Sequence, residues 1–535
     1  LSYEFFVTGL KLKIIVVFLV LIFTMLNTTV IFAHGFGERY DLPIPLSYFV
    51  FGASATVALS FVIIGWFVRQ ANSSEDYLQL DIWNKDRIRI FLKGAKFFLS
   101  ILSILLLILT ILTGLLGTKN ALDNFSPTFV WIIWWVGFGY IVAIFGNLWV
   151  VVNPWSMAFK YFENIFKQDL KPIYSWPNNI DAWPALIAFF LFAWFENVYF
   201  GSSTPKILSV SLILYSVYSI VGMYIFGRYT WLRNADPFFV LFSLFSRFSM
   251  TEVRVKTPKG EKVICDACTS NCLNISLKDC VDCYECWELA PNKLRKFSFR
   301  PFASGLARGE KVTWALVAFH ISALATVTFD GFAETSTWIS IQNTVWPIFD
   351  RLPFSTFATI KTIGIIFFPI LFFSMYVLVC SNISNISKNK ISKEESIKTF
   401  VFSLVPIALA YNLSHYISFL LITGQQIIPL VSDPFGCSSV DMPSARNIVC
   451  FFDWNLFNTV QYTPNISIIN AKFAWIFSVI ALVGGHIFSV FIAHLISIRK
   501  LSNHKLAVKT QYPMLFLMVF YTGISLWIIA QPIVD

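Results

Sequence analysis

Six of the nine cysteines in this chain of 535 residues, Cys265, Cys268, Cys272, Cys280, Cys283 and Cys286, fall between positions 265 and 286. Their spacing is C-x2-C-x3-C followed by C-x2-C-x2-C, which sets soft thiolate donors at the short intervals a metal centre requires. Two C-x2-C knuckles predict a tetrahedral zinc site that staples a loop with no core of its own. The same run, completed by a donor from the first three cysteines, supplies the thiolates of a 4Fe-4S cluster. Both centres need reduced thiols, so residues 251–308 read as a cytoplasmic metal-binding segment. Asp266, Asp279, Asp282, Glu285 and Glu288 add negative charge around it. Lys293, Arg295 and Lys296 follow as a basic patch suited to lipid headgroups or to an acidic cytoplasmic redox partner.

Titratable side chains inside apolar stretches are the second chemical signal, because lipid makes them costly. His320, His415 and His486 stand near a common depth, which suits haem, copper or a proton path, and His494 lies nearer the cytoplasmic end. His486 and His494 share one run at a spacing that does not suit two stacked haems. Toward the outer ends lie Glu196, Asp330, Glu334 and Asp433, with His34, Glu38, Arg39 and Asp41. Carboxylates from several helix ends predict a site for a divalent cation or a small substrate, with His34 and Asp433 as outer metal ligands. The candidate catalytic residues are His320, His415, His486, Glu196 and Asp330. The bland alternatives are interhelical hydrogen bonds for each imidazole and helix-end salt bridges for the carboxylates.

The elements that must position these groups are membrane helices. Apolar residues make up 56% of the chain and charged residues 13%, with Phe at 57 positions, which excludes an ordinary soluble domain. Runs long enough for a bilayer core of roughly 30 Å recur about eleven times. They cover 14–33, 46–68, 96–117, 128–152, 182–201, 206–227, 312–332, 357–381, 397–424, 470–497 and 511–532. Backbone groups in lipid must be satisfied within the segment, so the fold class is an all-α polytopic bundle. Lys and Arg concentrate in the loops after runs two, four, six, eight and ten, which predicts a multi-pass protein of the cytoplasmic membrane with N-terminus in and C-terminus out. The net charge of +10 follows from that topology and from anionic lipid, not from nucleic acid.

On this reading 34–250 and 309–535 are the two halves of the bundle, and 425–468 is an outer loop. Cys437 and Cys450 on that loop predict a disulfide, and Cys380 a packing thiol. Residues 1–33 read as a first anchor or as a secretory signal peptide. Lys11 and Lys13 precede the apolar stretch Ile14–Phe23, and cleavage after Ala33 would leave His34 as a terminal copper chelator. Asn153-Pro154-Trp155 ends a helix ahead of an amphipathic stretch expected on the inner interface, and Trp231–Met250 is expected to be interfacial or re-entrant.

Two resemblances add to this. The run from Asp279 to Pro291 resembles the C-x2-C-x2-C-x3-C-P run of bacterial ferredoxins, with Ala290 in place of the fourth cysteine. Elsewhere, five strings resemble a family of bacterial and archaeal multi-pass membrane proteins that carries the label fenitrothion hydrolase. They are His34 to Leu46, Val327 to Phe332, Leu404 to Tyr416, Ser432 to Gly436, and Tyr512 to Pro532. The resemblance spans most of the chain outside the cysteine segment and implies hydrolysis of organophosphate-type esters. Such hydrolysis commonly uses a divalent metal, for which His34, Glu196, Asp330 and Asp433 are the available ligands. Three classes are thus left open: a membrane redox or metal-handling protein, with electrons passing between the cytoplasmic cluster and an intramembrane or outer metal site; that hydrolase; and a small-molecule or metal transporter with a zinc-stapled loop.

Overall fold

The computed structural model describes residues 40–70, 77–166, 172–177, 179–256, 279–308, 312–351, 354–439, 450, 454–531 and 533. Residues 1–39, which hold the first apolar run and His34, and residues 257–278, which hold Cys265, Cys268 and Cys272, lie outside the described residues.

The described chain is mostly helical, and among those residues nine helices are long and apolar enough to cross a membrane. The first half begins with α1 (Leu46–Phe67), α2 (Asp86–Leu116) and α3 (Phe125–Phe145). Four shorter helices then surround one long one: α4 (Trp149–Val152), α5 (Pro154–Phe166), α6 (Trp183–Asn197), α7 (Pro205–Phe226) and α8 (Arg228–Asn234). The buried α9 (Pro237–Phe245) and the short α10 (Tyr284–Leu289) lead into the second half. There α11 (Trp314–Ala333) and α12 (Ser336–Phe349) precede α13 (Thr356–Ile386), α14 (Lys393–Ser432), α15 (Ala471–Lys500) and α16 (His504–Ala530). Run five is shorter than its hydropathy suggests. α6 has 15 residues, about 22 Å at 1.5 Å per residue, and so falls short of a bilayer core.

Small residues let the central helices approach closely, as lipid-embedded packing demands. Ser414 of α14 and Ser478 of α15 each donate to the other's backbone oxygen at 3.3 Å. A Cβ at Gly485 of α15 would lie 2.4 Å from Ala410 and 2.7 Å from the Pro406 carbonyl oxygen, so this crossing requires glycine.

Two broken segments reach into the bundle and meet. Asn153 caps α5 by accepting from Ser156 N at 2.9 Å, and Asp236 caps α9 by accepting from Phe238 N and Phe239 N at 2.9 Å each. Both caps are buried, and the Asn153 amide stands 3.4 Å from Asp236. The tips lie level with the middle of α3 and α7, because Phe238 packs on Trp134 at 4.6 Å and Trp155 donates to Ser216 at 2.7 Å. Pro at the first helical position and an Asn or Asp cap explain why each segment restarts there. Trp231–Met250 and the stretch after Asn153 thus both run into the interior of the bundle.

The cysteine segment departs from the all-helical expectation. β1 (Leu80–Asp81), β2 (Thr251–Lys256), β3 (Asp279–Val281) and β4 (Arg295–Phe299) form an antiparallel sheet in the order β1-β4-β2-β3. Arg254 pairs with both Val281 and Lys296, so β2 lies between β3 and β4.

Candidate metal centre and intramembrane polar cluster

Cys280 ends the first half of the β3 knuckle, and Cys283 and Cys286 bracket the first turn of α10. Their sulfur atoms lie within 4.8 Å of one another, and this trio could hold a metal ion. Cys286 and Cys280 are buried and Cys283 is half-buried. The knuckle turns at Asp282, whose φ of 54° lies in the left-handed region that Asp tolerates better than most residues. The Asp282 N–H bonds Val253 O at 2.8 Å, which ties the turn to β2.

The carboxylates around the cysteines do not form a free acidic surface. Each described one is bonded by cations from the bundle or the sheet, and Asp266 lies outside the described residues. Asp282 accepts from Arg300 at 2.8 Å and from Arg308 at 2.5 Å. Glu288 meets Lys96 of α2 at 3.0 Å, Lys160 of α5 at 2.8 Å and Arg228 of α8 at 2.6 Å. Glu285 pairs with Arg233 of α8, and Asp279 meets Arg254 at 3.4 Å. Beneath them the buried Glu252 is flanked by Arg254 at 3.1 Å and Arg300 at 3.4 Å, and it accepts the Tyr77 hydroxyl. Burial alone would push the Asp282 and Glu288 carboxyls up. The guanidiniums of Arg300 and Arg308 reverse this for Asp282, and Arg228, Lys96 and Lys160 reverse it for Glu288, so both sit well below the usual carboxylate range. Burial pushes the Tyr77 phenol up to about 12, so it stays protonated and donates.

The basic residues that follow are partly spent on the same fold. Arg295 donates to Ala290 O at 2.7 Å and Glu288 O at 2.8 Å and lies over the Trp287 ring at 5.0 Å. Trp287 packs edge-on against Trp83 at 4.7 Å. Lys293 alone of the three predicted basic residues is exposed.

Inside the bundle, Asp330 of α11 meets His415 of α14. The His415 Nε2 lies 3.0 Å from Asp330 Oδ2, and the Tyr416 hydroxyl donates to the same oxygen at 2.5 Å. Glu196, at the end of α6, lines a cavity of about 40 Å³ together with Asp330, Tyr416, Asn412 and His320. His320 points its Nδ1 at Leu316 O, and its Nε2 has no hydrogen-bond partner among the described residues. The other intramembrane histidines are held separately. His486 Nδ1 lies 2.7 Å from Leu482 O, while His494 bridges Gln511 at 3.0 Å and Val68 O at 2.8 Å.

Asp433 lies apart from this cluster and serves a turn. It accepts from Cys437 N at 3.0 Å and from Ser438 N and Oγ at 2.7 Å each. Cys437 and Cys450 form the expected disulfide, with Cα atoms 5.2 Å apart. Gly436 follows with φ of 68°, and a Cβ there would lie 2.2 Å from Asp123 O, so the turn is pressed onto the loop before α3. Cys380 is buried, as a packing thiol should be.

Sequence reasoning found Asp330, His415 and Glu196 but missed Asn412, one turn before His415 on α14, and Tyr416, the residue after it. It also missed the docking cations Arg228, Arg233, Arg300 and Arg308. Their only sequence signal is a cationic residue next to an apolar run, which marks interface as readily as a partner.

No family model matches the chain, and no curated protein and no solved structure matches it.

Proposed function

We propose that the protein is a metal-handling protein of the cytoplasmic membrane whose cysteine module binds one thiophilic ion of the zinc type at the cytoplasmic face. The observation that carries this is the convergence of the three sulfurs. Zn–S bonds of about 2.3 Å in a tetrahedron set sulfur atoms about 3.8 Å apart. The sulfurs of Cys280, Cys283 and Cys286 lie within 4.8 Å of one another, a bound that admits that spacing. Cys265, Cys268 and Cys272, outside the described residues, are the candidates for a fourth thiolate. The metal supplies the closing force for a knuckle whose own buried hydrophobic cluster is small: Val255, Cys280, Cys286 and Ala290.

The cytoplasmic assignment has two supports. The Lys- and Arg-rich loops gather on the sheet's side of the bundle, where Lys96, Lys160 and Arg228 meet Glu288 and Lys500 meets Glu395 at 2.7 Å. The disulfide lies toward the opposite side, beside the loop after α2, where Thr118 N bonds Phe435 O at 2.8 Å.

The second reading is a 4Fe-4S cluster in membrane redox chemistry, favoured by the C-x2-C-x2-C spacing itself. A cubane places each thiolate on its own iron, which spreads the sulfurs further than one ion does. Metal analysis of anaerobically purified protein separates the two. About one zinc per chain and a colourless protein support the first reading; about four irons per chain and a brown protein support the second. Protein that binds neither metal overturns both.

A further inference from the structure

We propose that Glu196, Asp330 and His415 form an intramembrane proton-carrying site, with a short wet path along α11 to His320, so that the bundle conducts protons across its interior. This stands on observations separate from the cysteine module and does not depend on which metal the module binds.

Charge and solvation lead to this assignment. A carboxylate inside a bilayer is costly, and such residues persist where they carry out a function. Here Glu196 and Asp330 line one cavity, and Glu334 at the end of α11 adds a third acidic group coupled to Asp330. The groups that face them from the neighbouring helices are His415 and Tyr416 on α14, Lys361 on α13, and Tyr140 on α3. Three acidic groups thus confront one lysine and one imidazole. Two carboxylates in one cavity either share a proton or hold a cation. No third His, Cys, Asp or Glu donor converges with them closely enough for a metal, since among the described residues only the cysteine trio does so. A proton is the cation that needs no further ligands.

The path is set by the cavity and by His320. A space of about 40 Å³ holds up to roughly three waters at 10–15 Å³ each. His320 is buried, lines the same cavity, and has an Nε2 without a partner, so that nitrogen is available to a water. His320 and Asp330 lie ten residues apart on α11, about 15 Å at 1.5 Å per residue, which is half a bilayer core. Asn412 of α14 lines the gap between them. A proton accepted by Glu196 or Asp330 passes to a cavity water, which gives one of its own protons to His320 Nε2 and so returns to neutral; each transfer moves one proton and no electrons.

The test uses the full chain in vesicles of phosphatidylcholine and phosphatidylglycerol loaded with a pH-sensitive dye, with a potassium gradient and valinomycin supplying the driving force. Wild-type vesicles should acidify or alkalinise several-fold faster than protein-free ones. Glu196→Gln and Asp330→Asn should each slow this about tenfold, and His320→Phe several-fold, while Glu395→Gln at the sheet side leaves it unchanged. Wild-type flux equal to protein-free vesicles, or full flux in both carboxylate variants, overturns the proposal. So does a sodium-driven signal, read with a sodium-sensitive dye, in place of proton movement. Should a variant aggregate, wild-type protein treated with dicyclohexylcarbodiimide replaces it. Adducts on Glu196 or Asp330 with matching loss of flux are expected, and adducts with undiminished flux overturn the site.

Discussion

The two polar regions of this molecule solve opposite problems with the same side chains. In the cysteine module every described carboxylate has cationic partners: Glu288 has three, Asp282 two, and Glu252 lies between two buried guanidiniums. Inside the bundle, Glu196, Asp330 and Glu334 outnumber the lysine and histidine that face them. Complete pairing locks a small sheet onto the end of a helix bundle, where metal can act as a staple. Incomplete pairing leaves room for a mobile charge. The difference teaches that buried acids by themselves say little about function, and that the ratio of acids to fixed cations around them says more.

The strongest way to break this comparison is to remove the metal. Cys286→Ser should reduce bound metal from about one per chain to none, read by elemental analysis, because a structural thiolate site contributes on the order of 10 kcal/mol of binding free energy. Retained stoichiometric metal would remove Cys286 from the ligand set. The same variant should leave proton flux through the bundle in place, which keeps the two regions distinct.

Next in size is the lock itself. Arg300→Ala strips one partner each from the buried Glu252 and Asp282 and should cost about 3–5 kcal/mol. The readout is faster proteolysis within 257–278 at unchanged helix content; an unaltered cleavage rate would show that the sheet docks without the charge network. On the opposite side, Cys437→Ser opens a loop of sequence separation 13 and should cost about 3 kcal/mol locally. Faster proteolysis of 440–449 would show it, with metal content unchanged. The smallest expected effect is at the aromatic contact between module and β1: Trp83→Phe should cost about 0.5–1.5 kcal/mol, seen as a slightly lower unfolding midpoint.

Much of this was legible in residue order. Hydropathy located the spans, because a helix in lipid announces itself through some twenty consecutive apolar residues. C-x2-C spacing located the thiolate donors, and Cys437 with Cys450 on one loop predicted their bond. Asp330, His415 and Glu196 stood out because charge is rare where they lie. The sheet was not legible. β1 and β3 have two and three residues, too few for a period to register, and their paired residues lie 217 to 219 and 23 to 27 positions away respectively in the chain.

What the sequence by itself determined is the membrane class, the helix positions, the close spacing of the cysteines and the disulfide, all of which rest on composition or on neighbours a few residues apart. Only the tertiary structure decided what those groups do. It seated Glu288 among three cations from three different helices, brought Asp330 to a histidine 85 positions away, moved Asp433 out of that cluster into a turn, and folded Asn153 and Asp236 to a common point inside the bundle. The physical reason is that helix packing, set by small residues such as Gly485, chooses which distant faces meet, and a charge takes its role from the neighbours that packing supplies.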